Sequence, residues 1–481
     1  MRITFVNVKA DIYPPLGLCY LSSYVKAHVQ GIETALFEIT YDMALDEAAR
    51  RITRISPDLV GITAYTVGFH EVMALCRCLR ECLPDVIICL GGPHITSLPG
   101  SLPREADIGV CGEGEETLRE ICAVLHGRKQ LLPELLKAIQ GICYHDGSTV
   151  ASTPPREILA DLDSLPLPDL SILNMKWYTA QRMYFVMKGD LRGFTLLTSR
   201  GCPFQCRFCQ SSAHWGRCRY HSAERVIIEL ERIRREYPLV NAINIIDDLF
   251  IGNRKRLREI VSLIRERGLH HGVVFNVNGH ATIVDEEMIG LLKSINVTQI
   301  SYGFESGSER VLAFLKKGSA TVASNRRAAE ITNAAGIGVG GQFMIGSPGE
   351  TEQEIRETID FIENTPMSHV HVSSTTPLPG TELWGICREK GLVTDDMDWR
   401  RLDFGNPDNP DLFYCNSEGI PQRRFDELRA EVNKAADRWN PPPSFTTNFS
   451  FWHLYSLDEF ILRLLKWMLR QICRPFKPSR A

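Results

Sequence analysis

Three cysteines lie close together in the segment TSRGCPFQCRFCQSS, residues 198–212. Cys202, Cys206 and Cys209 follow a C-x3-C-x2-C spacing, which brings three thiolates to one loop. A structural zinc site needs four nitrogen or sulfur ligands, and a cubane iron–sulfur cluster has four corners to fill. Three cysteines on a cubane leave one iron open to a small molecule, and an open corner is a place for chemistry.

The alternative for this loop is a zinc site that takes its fourth ligand from His214, His221 or Cys218. The position of the loop favours the reactive cluster. It follows the predicted strand 194–202, the first of six βα units, and βα barrels hold their active sites at the carboxyl ends of their strands.

Two runs of alternating strands and helices position these residues. In the second run, strands are predicted at 194–202, 241–248, 272–279, 298–306, 338–346 and 369–380, which indicates a partial (βα)6 barrel over residues 193–392. Residues 393–481 lack this repeat and contain one clear helix at 421–438. We expect this last region to shape the substrate pocket.

The first run covers residues 1–127, where five short apolar strands alternate with helices. This pattern predicts a doubly wound parallel sheet, flavodoxin-like or Rossmann-like, that binds its ligand beyond the carboxyl ends of the strands. No G-x-G-x-x-G follows the first strand, which disfavours a dinucleotide. Residues 128–192 are predicted to be a linker with a small hairpin that turns at Asp146-Gly147. Candidate binding residues at the strand ends are Tyr13, Thr63, Gly91, Gly92, Gly112 and Glu113.

Composition limits the class of protein. The chain has 481 residues, of which 44% are hydrophobic and 23% charged, and a net charge of −4. These values are typical of a soluble globular protein of two or three domains and give no bulk affinity for nucleic acid. No uninterrupted apolar run reaches the length of a spanning helix, and residues 1–17 do not resemble a signal peptide. The 15 cysteines are scattered irregularly, which favours free thiols in a reducing cytoplasm.

The segment CPFQCRFC resembles the CxxxCxΦC motif of radical S-adenosylmethionine (SAM) enzymes, with Phe208 as Φ. The resemblance implies a 4Fe–4S cluster on the three cysteines and SAM on the open iron. It places Glu305 of GFESG against the SAM ribose and the stretch FMIGSPGET, with Ile345 and Ser347, against the adenine. Asp247 and Asp248 stand where many members have Gly-Gly-Glu, whose role is to bind the methionine amino group.

The segments PPLGLCYLSSYV, PDLVGITAYT, VIICLGGPHIT and DIGVCGEGEETL resemble the cobalamin-binding domain of class B radical SAM enzymes. Many corrinoid domains carry D-x-H-x-x-G after the first strand, and here the chain reads DIYPPLG without the histidine. The resemblance therefore implies cobalamin without a histidine ligand, with Tyr13 as a candidate beneath the cobalt. The glycines at 91, 92 and 112 would let the backbone approach the corrin.

The expected function is a cobalamin-dependent radical SAM methyltransferase that methylates an unactivated carbon of a small molecule through a 5′-deoxyadenosyl radical. A flavodoxin or ferredoxin is the expected electron donor. The alternatives are a class B oxidative cyclase or ring-rearranging enzyme that does not methylate, and a non-catalytic protein that binds a corrinoid or an iron–sulfur cluster. A methylated product formed from SAM with a deuterated methyl group would distinguish methylation from cyclisation, and bound cofactor without SAM cleavage on reduction would identify the non-catalytic protein.

The end of the chain suggests a further property. Residues 459–481 combine apolar side chains with six basic residues, from Arg463 to Arg480, and have no acid after Arg463. This pattern fits a helix in the surface of an anionic membrane, and equally a terminal helix docked on the barrel. Membrane contact would place a cytoplasmic enzyme at the inner face of the membrane and would suggest a lipid or a tetrapyrrole as substrate.

Overall fold

A mixed seven-stranded sheet, a six-stranded parallel sheet and the helices around them form most of the molecule. The computed structural model describes residues 1–9, 13–40, 43–125, 133–180, 191–403, 415–416 and 419–440. The tail 459–481 lies outside the described residues. No helix among the residues described is long and apolar enough to cross a membrane.

The N-terminal sheet is doubly wound, as predicted. Its strands and helices are β1 (Arg2–Val8), α1 (Leu16–His28), β2 (Glu33–Ile39), α2 (Leu45–Ile55), β3 (Leu59–Thr63), α3 (Phe69–Cys82), β4 (Ile87–Gly91), α4 (Pro93–Ser97), β5 (Ile108–Val110) and α5 (Glu115–Leu125). The first five strands run parallel in the order β2-β1-β3-β4-β5. The chain winds to one side after β1 and to the other after β3, so the loops after these strands diverge and open a crevice.

The predicted hairpin does not stand apart from this sheet. After α6 (Pro133–Leu136), β6 (Ile142–Asp146) pairs antiparallel with β5, and β7 (Thr149–Ser152) pairs antiparallel with β6. The hairpin therefore extends the sheet to seven strands and covers the edge that β5 would otherwise expose.

The second sheet is a half-barrel of six parallel strands in the order β15-β14-β13-β12-β11-β8. After α7 (Met175–Ala180), the chain continues through β8 (Gly193–Leu196), β9 (Ser199–Arg200), α8 (Gln210–Trp215), β10 (Arg219–Tyr220), α9 (Ala223–Glu236), β11 (Ala242–Ile245), α10 (Arg254–Glu266), β12 (Val274–Gly279), α11 (Glu286–Ser294), β13 (Val297–Glu305), α12 (Glu309–Lys316), α13 (Val322–Ala334), β14 (Gly338–Ile345), α14 (Glu352–Asn364) and β15 (His369–Ser374). This confirms the predicted partial barrel. Alternate strand residues such as Ile243, Phe275 and Phe343 pack outward against these helices in one apolar core.

The region after β15 ties the two sheets together. Leu383 and Trp384 of α15 (Glu382–Glu389), with Trp399, pack into the apolar core of the N-terminal sheet. Helix α16 (Gln422–Asp437) instead packs on the half-barrel. Asn440 then bonds to both backbone groups of Val370 at 2.7 and 3.0 Å, which satisfies part of the exposed edge of β15.

Candidate functional site

The three cysteines lie on a loop that is closed at its base. Strands β9 and β10 pair antiparallel, Arg200 with Arg219, so residues 201–218 form one excursion at the carboxyl end of β8. Gly201 begins it with φ +87°, and a Cβ there would lie 2.7 Å from the Arg217 carbonyl oxygen. Glycine is therefore required immediately before Cys202.

All three thiols are half-buried. Burial raises the pKa of Cys202 to about 12 and of Cys206 to about 11, and it also raises the pKa of Cys209. The thiols are therefore protonated until a metal displaces the protons. Within the described residues, no group of three or more His, Cys, Asp or Glu side chains is arranged to hold a single metal ion.

The candidate fourth ligands of a zinc site have other roles. The Cys218 thiol donates to the Gly201 carbonyl at 3.1 Å, at the base of the loop. His221 contacts the Asp163 carboxylate at 3.1 Å. His214 lies on α8 and faces a cavity described below. These positions favour a cubane held by three cysteines over the zinc site.

Aromatic residues support the loop from both sides. Phe204 stacks on His280, which follows β12, with ring centroids 3.7 Å apart. The Nε2 atom of His280 is buried and has no hydrogen-bond partner among the described residues, so a polar group beside the loop would satisfy it. Phe208 packs against the apolar core of the N-terminal sheet. A contact between Phe208 and SAM stays a prediction.

Glu305 occupies a strained position at the end of β13. It has φ +62° at a register shift between β13 and β14, and its side chain is buried. Its carboxylate lies so close to Gly303 that a Cβ there would be 2.2 Å from Oε1. Burial raises the pKa of Glu305, against the opposing effect of Lys316, whose Nζ is 3.7 Å away. Strain of this kind concentrates at functional sites.

The two aspartates after β11 differ in what they contact. Asp247 is fully buried and accepts hydrogen bonds from the Thr198 N–H and Oγ1, both at 2.5 Å, and from the Ser199 N–H at 3.1 Å. It therefore holds the start of the cysteine loop. Asp248 is exposed at the mouth of the site and accepts from Ser211 Oγ at 2.5 Å. Of the two, Asp248 is placed to contact a ligand.

The stretch after β14 is internally bonded. The N–H groups of Gly346 and Ser347 both donate to the buried carboxylate of Glu350, at 2.6 and 2.9 Å. The Ile345 carbonyl accepts from the Thr375 N–H at 2.8 Å. Burial raises the pKa of Glu350 to about 8. Contacts of Ile345 and Ser347 with adenine stay a prediction, and Glu350 shapes the turn that carries them.

A cavity of about 760 Å³ separates the N-terminal sheet from the cysteine loop. One wall is built from the strand ends of the N-terminal sheet, and the opposite wall is α8 with its neighbours. The N-terminal wall includes the six predicted residues Tyr13, Thr63, Gly91, Gly92, Gly112 and Glu113, together with Tyr65, and the other wall includes Arg200, Gln210, Ser211, His214 and Trp215.

Two tyrosines flank the crevice of the N-terminal sheet. Tyr13 follows β1 and Tyr65 follows β3, and they are 36% and 51% exposed. Gly92 has φ +102°, and a Cβ there would lie 3.0 Å from the Ala64 carbonyl oxygen, so only glycine allows this approach of β4 to the loop after β3. The cavity thus lies at the point where a sheet of this order binds its ligand.

A buried ion network joins the two walls. Arg200 pairs with Glu113 at 2.6 Å and with Glu115 at 2.5 Å, and Arg219 pairs with Glu113 at 2.8 Å. All four side chains are at most 9% exposed. Burial would raise the pKa of Glu113, but the guanidinium groups of Arg219 and Arg200 outweigh it and the pKa lies below its usual value. Because its carboxylate pairs with Arg200 and Arg219, Glu113 connects the two walls of the cavity.

A family model of the radical SAM superfamily matches residues 196–362, and one of a B12-binding domain matches residues 1–122. An uncharacterised methyltransferase of Pyrococcus horikoshii is 33% identical over 399 residues, 82% of each chain. This chain belongs to the B12-binding radical SAM family. The class predicted from the cysteine motif and the N-terminal segments is confirmed.

Other relatives of this radical SAM protein differ in the reaction named for them. The anaerobic magnesium-protoporphyrin IX monomethyl ester cyclase of Rubrivivax gelatinosus is 27% identical over 424 residues, which cover 85% of this chain and 73% of the cyclase. The solved radical SAM methyltransferase TsrM of Kitasatospora setae, with cobalamin and a 4Fe–4S cluster bound, superposes with a TM-score of 0.69 at 17% identity. The superposition covers 90% of this chain and 88% of TsrM and shows a shared fold.

Membership in this family makes the protein an enzyme with three cofactors, a 4Fe–4S cluster, SAM and cobalamin, as predicted. The residues present fit them. Three thiols on one loop suit a cluster with an open iron, and the unpartnered Nε2 of His280 lies beside that loop. The glycine-lined cavity at the sheet crevice suits a bulky corrinoid.

Sequence reasoning missed several residues of the site. Arg200, Arg219 and Glu115 form most of the ion network, Lys316 faces Glu305, and His280 stacks on the cysteine loop. Arg200 and Glu115 lie in segments that the sequence analysis quoted, but neither was singled out there as a site residue. The one feature of the sequence that could have pointed to the ion network was the position of Arg200, two residues before Cys202. That position does not identify the partners of Arg200.

Proposed function

We propose that this radical SAM enzyme is a methyltransferase that places a methyl group on an unactivated carbon of a small molecule. The observation that carries the proposal is the cavity with two walls, because the predicted corrinoid wall faces the helix that starts directly after Cys209. When bound, the cofactors supply a 5′-deoxyadenosyl radical and a methyl group. The chain's own part is to hold the two cofactor sites on either side of one space.

The named relatives support this reading. The methyltransferase of P. horikoshii shares 82% of its length with this chain, and cytidylyl-2-hydroxyethylphosphonate methyltransferase of Streptomyces wedmorensis is 25% identical over 443 residues. The proposal includes an external electron donor, a flavodoxin or a ferredoxin, because the cluster must be reduced before SAM is cleaved. Contact of the tail 459–481 with a membrane is a separate proposal, tested by sedimentation with anionic liposomes.

The second candidate is an oxidative cyclase, favoured by the similarity to the cyclase of R. gelatinosus over 85% of this chain. The two SAM-derived products separate the candidates. A methyltransferase of this kind uses one SAM for the radical and one to renew the methyl group, so it forms 5′-deoxyadenosine and S-adenosylhomocysteine in equal amounts. A cyclase forms 5′-deoxyadenosine alone, and a non-catalytic protein forms neither. We expect equal amounts, measured by mass spectrometry with reconstituted enzyme, reductant and an extract that contains the substrate.

The position of Glu305 predicts a role in SAM binding. We expect Glu305→Gln to weaken SAM binding by tenfold or more, because a hydrogen bond to a charged acceptor contributes about 1.5–3 kcal/mol. Equilibrium binding of SAM to the reconstituted protein measures this, with the iron–sulfur absorption unchanged. Glu357→Gln, on the exposed face of α14, is the matched control. Equal affinity in both variants would show that Glu305 does not contact SAM.

The cavity also predicts the coordination of cobalt. His214 is the one histidine among the described lining residues, and it lies on the wall opposite the N-terminal sheet. We expect the cob(II)alamin form to show no nitrogen coupling from the protein in its electron paramagnetic resonance spectrum. A nitrogen signature that disappears in His214→Ala would contradict this assignment and would make His214 the ligand.

A further inference from the structure

The inner face of the half-barrel carries a set of uncharged polar side chains that the cofactor sites do not use. Strand residues alternate between the two faces of a sheet. Ile243, Phe275, Ile300 and Phe343 belong to the apolar core under the outer helices, so the residues between them point inward. Parallel pairing then aligns the inward residues of neighbouring strands in rows.

The lower row runs through four strands. Thr195 pairs with Asn244, Asn244 with Asn276, and Asn276 with Gln299. Thr195, Asn276 and Gln299 are at most 6% exposed, and Asn244 is half-buried. Asn276 Oδ1 accepts from Thr298 Oγ1 at 3.3 Å and Gln299 Nε2 donates to Ser301 Oγ at 3.5 Å, so the lower row is a polar floor held by its own hydrogen bonds.

The side chains of the upper rows are more exposed, on the inner face of the half-barrel. Asn278 pairs with Ser301, and both are half-buried. One step higher, Gln342 pairs with His371, and both are exposed. Neither the Gln342 side chain nor the His371 side chain forms a hydrogen bond with any of the described residues. Donors and acceptors are thus presented together on the inner face of β14 and β15.

Charge is absent from these rows. The rows named above contain no Asp, Glu, Lys or Arg; above them, Glu305 is the last residue of β13 and Asp248 follows β11. Desolvation by the surrounding elements lowers the pKa of His369 and of His371 below the usual value of an imidazole, which favours their uncharged forms. A carboxylate or a phosphate would find no countercharge in these rows, whereas an ammonium could pair with Glu305 or Asp248 above them. A lipid or a tetrapyrrole would meet amide and imidazole groups in place of an apolar wall.

We propose that the inner face of the half-barrel binds the substrate through an uncharged group that donates and accepts hydrogen bonds, an amide or a hydroxyl, with Gln342 and His371 as direct contacts. This inference rests on the proposed function, since it names the substrate class of the same site. It replaces the lipid or tetrapyrrole that the basic tail suggested.

The test uses the full-length enzyme reconstituted with its cofactors and an extract of the organism that makes it. The extract is divided into a chloroform-soluble fraction, an aqueous fraction retained by ion exchangers, and a neutral aqueous fraction. Each fraction is added with reductant and SAM, and its stimulation of 5′-deoxyadenosine formation is measured. This readout does not depend on methyl transfer, so failure of the methyltransferase proposal is seen separately, as the absence of S-adenosylhomocysteine.

We expect the neutral aqueous fraction to stimulate the reaction. Gln342→Leu and His371→Leu should each raise the amount of this fraction needed for half-maximal stimulation by about tenfold, the effect of one lost hydrogen bond in a bound complex. Gln353→Leu, the same change on the exposed surface of α14, should leave it unchanged. Stimulation by the chloroform-soluble or the ionic fraction, or wild-type response in both inner-face variants, would overturn the proposal.

Discussion

We expect alanine at Cys202, Cys206 or Cys209 to abolish formation of 5′-deoxyadenosine, to below detection, in enzyme reconstituted with iron, sulfide, SAM and reductant. The reason is that each of the three thiolates would hold the cluster, and the loop offers no replacement. The other thiol of the loop, Cys218, donates to the Gly201 carbonyl at the base of the loop.

Cys218→Ala is therefore the matched control, because it removes a thiol from the same loop without removing a predicted ligand. We expect it to keep the cluster absorption and at least part of the SAM cleavage. If the cleavage is lost in Cys218→Ala and persists in one of the other three variants, the assignment of the ligands is wrong.

We expect loss of the Arg200 guanidinium to loosen the contact between the two walls of the cavity proposed to hold the corrinoid. Arg200→Met leaves Glu115 buried without a partner and weakens the hold on Glu113. Breaking a buried ion pair costs about 3–5 kcal/mol. We expect a lower thermal unfolding midpoint and at least tenfold weaker binding of hydroxocobalamin, measured by equilibrium dialysis.

The surface of α2 supplies the control. Arg50 pairs with Asp46 four residues away, and both side chains are more than half exposed. Arg50→Met should change the thermal unfolding midpoint little and leave cobalamin binding unchanged, because an exposed ion pair contributes little to stability. The double variant Arg200→Met/Glu115→Gln removes the unpaired charge and should recover part of the stability. Arg200→Met with the same midpoint and affinity as Arg50→Met would refute the role of the network.

Local sequence patterns predicted those parts of the fold that depend on interactions between residues close together in the chain. The alternation of strands and helices predicted both parallel sheets, because each βα unit buries its own apolar face. The spacing of the cysteines predicted a loop at the end of β8, and the glycines at 91, 92 and 112 predicted a ligand at the strand ends. These glycines do line the cavity.

Local sequence patterns could not predict contacts between segments that are distant in the chain. Arg200 is 87 residues from Glu113, and nothing in either segment identifies the other. The hairpin was predicted, but its addition to β5 was not, because either edge of a hairpin can pair. The strained φ of Glu305 arises from a register shift between β13 and β14 that only the assembled sheet contains.

The inner rows of the half-barrel also could not be predicted from local sequence patterns. Gln342 and His371 are unremarkable in sequence, and their alignment follows from the pairing of β14 with β15. Such residues become candidates only when the strand register is known.

We propose that the cavity wall of the N-terminal sheet and the cysteine loop serve one methyl-transfer reaction. The most direct test supplies the reconstituted enzyme with SAM whose methyl group carries three deuterium atoms, together with reductant and the neutral aqueous extract. We expect a product that carries the label in the wild type, and none in Cys202→Ala. A product formed by the wild type that contains no label, alongside ongoing formation of 5′-deoxyadenosine, would contradict it.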